Sequence, residues 1–168
     1  MADQTITART LRLFLSWSHK DRVLKTQLVD DRLIDELGIL TGLKVEWWED
    51  SHIHPGEDIQ DQVAANIDEA DMAVALLSRA YFSSAFIKAY ELPRFTGAAA
   101  ERGIMPVALR RILFDGSRDY RGVDKLRVFD LDGRAFSELR GNGRDEFGQE
   151  LASEIRRRGL GLGGYRPL

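Results

Sequence analysis

Glu91 is the residue of this sequence best placed to do chemistry. It follows the unbroken apolar run 72–77, which predicts a buried strand, and it lies about two turns into a short helix predicted over residues 83–93. Two serines can cap the start of that helix, and Pro93 is expected to interrupt it directly after the acid. A lone glutamate on a helix is most often a solvated surface charge, so its surroundings must decide whether it is catalytic.

The composition is that of an ordinary globular chain. Its 168 residues, 43% hydrophobic and 30% charged, favour one domain with its own core. A net charge of −3 gives no reason to expect direct nucleic-acid binding, and the absence of cysteine excludes disulfides and thiolate chemistry. No apolar run approaches the length of a membrane span, and residues 1–10 do not resemble a signal peptide. A cytoplasmic location without membrane contact is expected.

Strands and helices alternate along the chain. Bulky apolar runs predict strands at 11–17, 43–48, 72–77, 104–109 and 126–129, although Pro106 weakens the fourth. Apolar residues three or four apart predict helices over 22–37, from 59 to about 67, and around 147–155. Such alternation predicts an α/β fold with a parallel sheet and helices on both faces. Five strands fit the flavodoxin-like, doubly wound order 2-1-3-4-5.

The predicted domain covers residues 11–158. Residues 1–10 are expected to form a disordered leader, and residues 159–168 a glycine-rich tail or a linker to a further domain. Gly159, Gly161 and Gly164 match the dinucleotide-binding pattern G-x-G-x-x-G literally, but they follow a predicted helix instead of opening one. The glycines therefore do not predict a phosphate site.

The predicted topology gathers several polar residues at one edge of the sheet. Strands one and three diverge at the switch point, and ligands bind at the carboxyl ends there. Ser18, His19 and Ser78 lie at those ends and can bind ribose or phosphate, although Ser18 is an equally good helix cap. Glu91 overhangs the same crevice, and the loop from Glu49 to Asp58 runs alongside it.

Two other kinds of site are less well supported. Ser18, His19 and Asp21 lie too close together on one loop for the relay geometry of a catalytic triad. His52 and His54 lie in a polar loop, where no helix or strand fixes them for metal binding. No metal site is predicted.

Three stretches in this order resemble a TIR domain. They read LFLSWSHKD at 13–21, WEDSHIHPGE at 48–57 and ADMAVALLS at 70–78, the last followed by YFSS and then YEL. The second is similar to the loop called BB in that family. The resemblance covers Leu11 to about Leu109, and the form is similar to bacterial members.

The resemblance implies an activity for some members: cleavage of the nicotinamide–ribose bond of NAD⁺. Those enzymes carry a glutamate on the helix after the third strand, usually four residues beyond a tryptophan. Glu91 occupies the acid position and Ile87 the tryptophan position, with Phe86 the nearest aromatic. Phe86 and Asp50, together with Pro55 and Gly56 of the BB-like loop, are implied to shape the substrate pocket.

The same resemblance implies partners and alternatives. NAD⁺ is the substrate, and no metal or further cofactor is needed. Such a domain self-associates through TIR–TIR contacts of the Glu49–Asp58 loop, joins a fused or separate sensor domain, and serves as an assembly-activated effector in bacterial antiphage defence. Other members are non-enzymatic interaction modules, and some enzymes cyclise the product, so both remain alternatives.

Overall fold

Four parallel strands form a sheet at the centre of the fold. The structure, a computed structural model, describes residues 9–49, 58–95 and 103–161. The strands are β1 (Arg9–Ser16), β2 (Leu43–Trp48), β3 (Met72–Leu77) and β4 (Gly103–Ala108). Their order is β2-β1-β3-β4, which confirms the doubly wound arrangement predicted for the first four strands.

Five helices connect or follow these strands in the described residues. Helix α1 consists of three consecutive segments, Arg22–Lys25, the π-helical stretch Thr26–Leu33 and Ile34–Gly38. Helices α2, α3 and α5 are Ile59–Glu69, Arg79–Ser83 and Asn142–Gly161. Helix α4 consists of the π-helical turn Ile87–Glu91 followed by Leu92–Phe95. Short 3-10 turns occur at His19–Asp21, Val123–Lys125 and Phe136–Glu138. The helices predicted from 22, 59 and around 147 are therefore present.

The strand β3 is buried at every position because helices cover both faces of the sheet. Alternate residues point to opposite faces of a strand, so β3 contributes to two hydrophobic clusters. Met72, Val74 and Leu76 pack with α1 and α5, whereas Ala73, Ala75 and Leu77 pack with α2 and α4. The stripe predicted for the last helix is confirmed, and its members, Phe147, Leu151 and Ile155, are fully buried.

The predicted fifth strand at 126–129 is wrong in extent. Only Phe129 pairs with the sheet, through one parallel bridge to Val107. Its N–H donates to the Pro106 carbonyl and its carbonyl accepts from Ala108, both at 2.8 Å. Leu126 and Arg127 are exposed, Val128 is partly buried, and all three follow a 3-10 turn, so the chain reaches β4 at a single point. Pro106 is tolerated because its carbonyl faces Phe129, and in a parallel ladder its missing N–H faces the same way, away from β3.

The prediction that Pro93 interrupts its helix is also wrong. Residues 85–95 are helical, and the proline lies inside. A π-helical turn precedes it, in which the Leu92 N–H donates to the Ile87 carbonyl five residues back. Pro93 falls where this wide pattern returns to the α-helical one, a place where a missing N–H disturbs few hydrogen bonds.

Two predicted domain boundaries fall inside regular elements. The boundary predicted after Arg158 falls inside α5, which continues to Gly161, and the leader expected over residues 1–10 overlaps β1 at Arg9.

The end of α5 lies closer to the sheet than an ordinary side chain would permit. A Cβ on Gly159 would lie 2.8 Å from a methyl of Leu11 and 2.9 Å from one of Leu43. Gly159 is therefore a packing residue that seats α5 on β1 and β2.

Replacing Gly159 with alanine is expected to lower the free energy of unfolding by about 1 kcal/mol, because overpacking outweighs the gain in helix propensity. Chemical denaturation measures the change. Gly161→Ala is the matched control, since nothing lies within 4 Å of the position of its Cβ. Equal stability of the two variants would contradict the close packing.

Candidate functional site

A cavity of about 570 Å³ opens where β1 and β3 diverge at their carboxyl ends. Three segments surround it: the turn after β1, the start of α2, and helices α3 and α4 after β3. Its lining residues are Trp17, Ser18, His19, Lys20, Ile59, Gln60, Ala80, Ser83, Ser84, Phe86, Ile87 and Glu91. The volume lies within the ordinary range of small-molecule sites.

Glu91 lies in the wall of this cavity and is only 5% exposed. It ends the π-helical turn Ile87–Glu91, and residues four apart on a helix lie on nearly the same face. Ile87 and Glu91 consequently line the cavity together. Ser84 begins this helix, since its hydroxyl accepts a 3.3 Å hydrogen bond from the Ile87 N–H. The turn thus removes the carboxylate from bulk solvent and aims it at the crevice.

Tyr81 is buried next to the helix that carries Glu91. Its hydroxyl shares a 2.9 Å hydrogen bond with that of Ser16 on β1. Burial raises the pKa of Tyr81 far above its usual value, the negative charge of Glu91 raises it further, and the hydrogen bond to Ser16 lowers it. Tyr81 is therefore a neutral phenol at physiological pH, and it adds no second negative charge beside Glu91.

Three other predicted site residues line the same cavity: Ser18, His19 and Phe86. Ser18 also caps the 3-10 turn, because its hydroxyl accepts from the Lys20 N–H at 3.4 Å. The exposed His19 ring lies 5.0 Å from that of Trp17. Phe86 is half-buried beside Tyr90, with ring centroids 5.0 Å apart. Residues distant in sequence are thus brought to one cavity.

Ser78 does not line the cavity. Its hydroxyl accepts from the Tyr81 N–H at 2.9 Å, which caps α3, and donates to Asp21. It is fully buried, so it supports the cavity instead of touching its contents. The other predicted pocket residues, Asp50, Pro55 and Gly56, lie outside the described residues.

Sequence reasoning missed several lining residues, of which Trp17, Lys20 and Gln60 are the most polar or aromatic. Trp17 comes directly after β1, and the apolar run predicted it to be a strand residue, not a lining residue. Lys20 belongs to the polar corner that follows. Gln60 gave no signal, because only the packing of α2 brings it to the cavity.

A buried ion pair holds Trp17 in the cavity wall. The Trp17 indole N–H donates to the Glu49 carboxylate at 3.0 Å, and Lys25 Nζ lies 2.9 Å from the same carboxylate. Lys25 also lies 5.0 Å from the centre of the indole ring and 3.2 Å from Asp30. Glu49 is the first residue of the Glu49–Asp58 loop. The network therefore fixes Trp17 and the first residue of that loop to α1.

Lys25→Met is expected to lower the free energy of unfolding by about 3 kcal/mol, because it leaves the buried Glu49 carboxylate without its cation. The Lys25 and Glu49 side chains are only 7% and 6% exposed. Lys44→Met, which removes an exposed pair with Glu46, is the control and is expected to cost less than about 0.5 kcal/mol. Denaturant titration compares the two, and similar losses would contradict the buried network.

Within the residues that the structure describes, no group of three His, Cys, Asp or Glu side chains is arranged to hold a metal ion, and no helix is long and apolar enough to cross a membrane.

Comparison with known proteins identifies the family. A search of curated proteins finds no match. A family model described as TIR domain matches residues 13–147, which span β1 to the beginning of α5 and include every described residue of the cavity. The chain therefore belongs to the TIR domain family.

Proposed function

We propose that this TIR domain is an NAD⁺ glycohydrolase with Glu91 as its catalytic carboxylate. One observation carries the proposal: Glu91, though nearly buried, lines an open cavity at the switch point of the sheet. A glutamate that served only as a surface charge would face solvent. A carboxylate held at a ligand-sized cavity fits the role that family membership allows.

The reaction needs only one carboxylate. The bond between ribose C1′ and the nicotinamide nitrogen breaks, its electron pair goes to that nitrogen, and positive charge develops on the ribose. Glu91 stabilises this charge from a site that is shielded from water. Nicotinamide leaves as a neutral molecule, so no general acid is required, unlike in ordinary glycosidases. Water then adds to C1′ and loses a proton, giving ADP-ribose, nicotinamide and H⁺.

The lining of the cavity suits a dinucleotide. Among the described lining residues, Lys20 is the one lysine or arginine and Glu91 is the one acid. We assign Lys20 and the Ser18 hydroxyl, which line the cavity, to the phosphate and ribose oxygens of the substrate. Phe86 and Ile87 provide an apolar surface next to Glu91, as the flat pyridinium ring requires.

A second cavity, of about 810 Å³, fits an anionic substrate less well. It lies along α5, and its acids outnumber its two arginines. The acids are Asp130, Asp132, Glu146, Glu150 and Glu154. Such a surface repels a diphosphate, so the cavity containing Glu91 is the better NAD⁺ site.

Family membership is the basis on which we propose a biological role. We place the domain in the cytoplasm as an effector of bacterial antiphage defence, which depletes NAD⁺ when a fused or partner sensor triggers assembly. Cyclisation is the nearest alternative at this site, since an adenine nitrogen would then replace water as the nucleophile at C1′. A non-enzymatic interaction module is the other, and it would leave the cavity without a use.

Glu91→Gln is expected to reduce nicotinamide release from NAD⁺ by about 10²–10³-fold, because the neutral amide cannot stabilise the positive charge on the ribose. Free nicotinamide and ADP-ribose are followed by chromatography at high protein concentration.

Glu150→Gln on α5 is the matched control, because this exposed acid lies away from the cavity. Release that is equal in the Glu91 and Glu150 variants, or absent in the wild type under every assembling condition, would refute the assignment. A cyclic product in place of ADP-ribose would identify the cyclase alternative.

Activity per molecule is expected to rise with protein concentration, because TIR–TIR contacts of the Glu49–Asp58 loop assemble the active form. Initial rates measured over a dilution series, together with light scattering, test this dependence. A constant rate per molecule from monomer to oligomer would contradict it.

A further inference from the structure

Asp21 is a buried carboxylate that joins three separate segments of the chain. It ends the 3-10 turn after β1 and is only 3% exposed. One of its oxygens accepts a hydrogen bond from the hydroxyl of Ser78, the residue after β3. The other accepts from Arg110 Nε at 3.0 Å, in the segment after β4. Both carboxylate oxygens are therefore occupied by groups from other strand ends.

The hydrogen bond between Ser78 and Asp21 lies just beyond the end of the β1–β3 ladder. The β1–β3 ladder ends with Ser16 opposite Ala75, so no ladder hydrogen bonds join β1 to β3 beyond that pair, whereas β3 stays paired with β4 as far as Leu77. The cavity opens in this gap. Asp21 and Ser78 lie beyond the ladder on its two sides and connect them directly.

Each partner controls one wall of the cavity. Asp21 closes the turn that presents Ser18, His19 and Lys20, and its own N–H donates to the Ser18 carbonyl at 2.8 Å. Ser78 caps α3, which supplies Ala80 and Ser83 to the opposite wall. Neither Asp21 nor Ser78 lines the cavity, so both act on a ligand only through the walls.

We propose that Asp21 is a positioning residue for the substrate: its carboxylate clamps the wall after β1 to the wall after β3 at the spacing that binds the dinucleotide. The inference rests on the proposed NAD⁺ cleavage for its substrate. The clamp is sensitive to small changes, because a buried carboxylate oxygen of Asp21 that loses its donor is left unsatisfied. Glu91 lies on α4, outside the clamp, so weakening the clamp is expected to leave the reacting carboxylate in place.

Three variants separate the parts of the clamp. Asp21→Asn keeps an acceptor for Ser78 but loses the charge that binds Arg110, whereas Asp21→Ala loses both interactions. Arg110→Met removes only the outer partner, whose side chain is 51% exposed, so it should fold even if the Asp21 variants do not. Asp119→Asn is the matched control, because Asp119 pairs with Arg121 in an exposed loop.

Kinetics supply the first readout. Asp21→Asn and Arg110→Met are expected to raise KM for NAD⁺ about threefold and Asp21→Ala about tenfold, with kcat within about twofold of the wild type, because binding is lost without loss of the reacting carboxylate. A fall in kcat at constant KM, or kinetics equal to those of Asp119→Asn, would overturn the proposal.

Hydrogen exchange supplies a readout that needs no substrate. In Asp21→Asn the amides of residues 17–20 and 79–84 are expected to exchange faster, while those of α5 keep their rates. Faster exchange throughout α5, or no change in either wall, would overturn the clamp. The wild type could release no nicotinamide while exchange in Asp21→Asn is faster only in the two walls. That result would support the clamp and would refute only the NAD⁺ assignment.

Discussion

The fold depends on covering both faces of β3. Every residue of this strand is buried, and its alternating side chains feed two separate hydrophobic clusters. Helices must therefore pack on both sides, so α1 leaves β1 toward one face while α3 and α4 follow β3 toward the other. The two chain segments diverge at the carboxyl ends of β1 and β3, and the cavity with Glu91 is the gap that this divergence leaves.

Such a gap exposes polar groups to partly dry surroundings, and each must find a partner. Around this cavity, buried polar groups form hydrogen bonds and ion pairs with groups from other elements. Ser16 bonds Tyr81, Asp21 bonds Ser78 and Arg110, and Glu49 binds Trp17 and Lys25. Satisfying the buried groups thus also connects the walls, which suits a site that must hold a ligand in one geometry.

Much of the fold and part of the site could be predicted from local patterns. Apolar runs located the four strands, and the stripe of Phe147, Leu151 and Ile155 located the last helix. Glu91, Ser18, His19 and Ser78 were expected at one crevice because parallel strands bring their carboxyl ends to one edge, and all but Ser78 line the cavity. The errors arose where local and tertiary preferences differ. Phe129 is the one residue of the predicted fifth strand that pairs with the sheet. Pro93 fits inside its helix because a π-helical turn precedes it, and no sequence pattern predicted that turn.

The sequence by itself determined the order of elements, the family and the identity of the candidate acid, because hydrophobic periodicity and short motifs are local properties of the chain. Only the tertiary structure decided what surrounds that acid. Trp17 and Gln60 line the cavity, whereas Ser78 does not line it and donates a hydrogen bond to Asp21. Those roles depend on which side chains from distant segments meet, and such meetings are fixed by packing against both faces of the sheet.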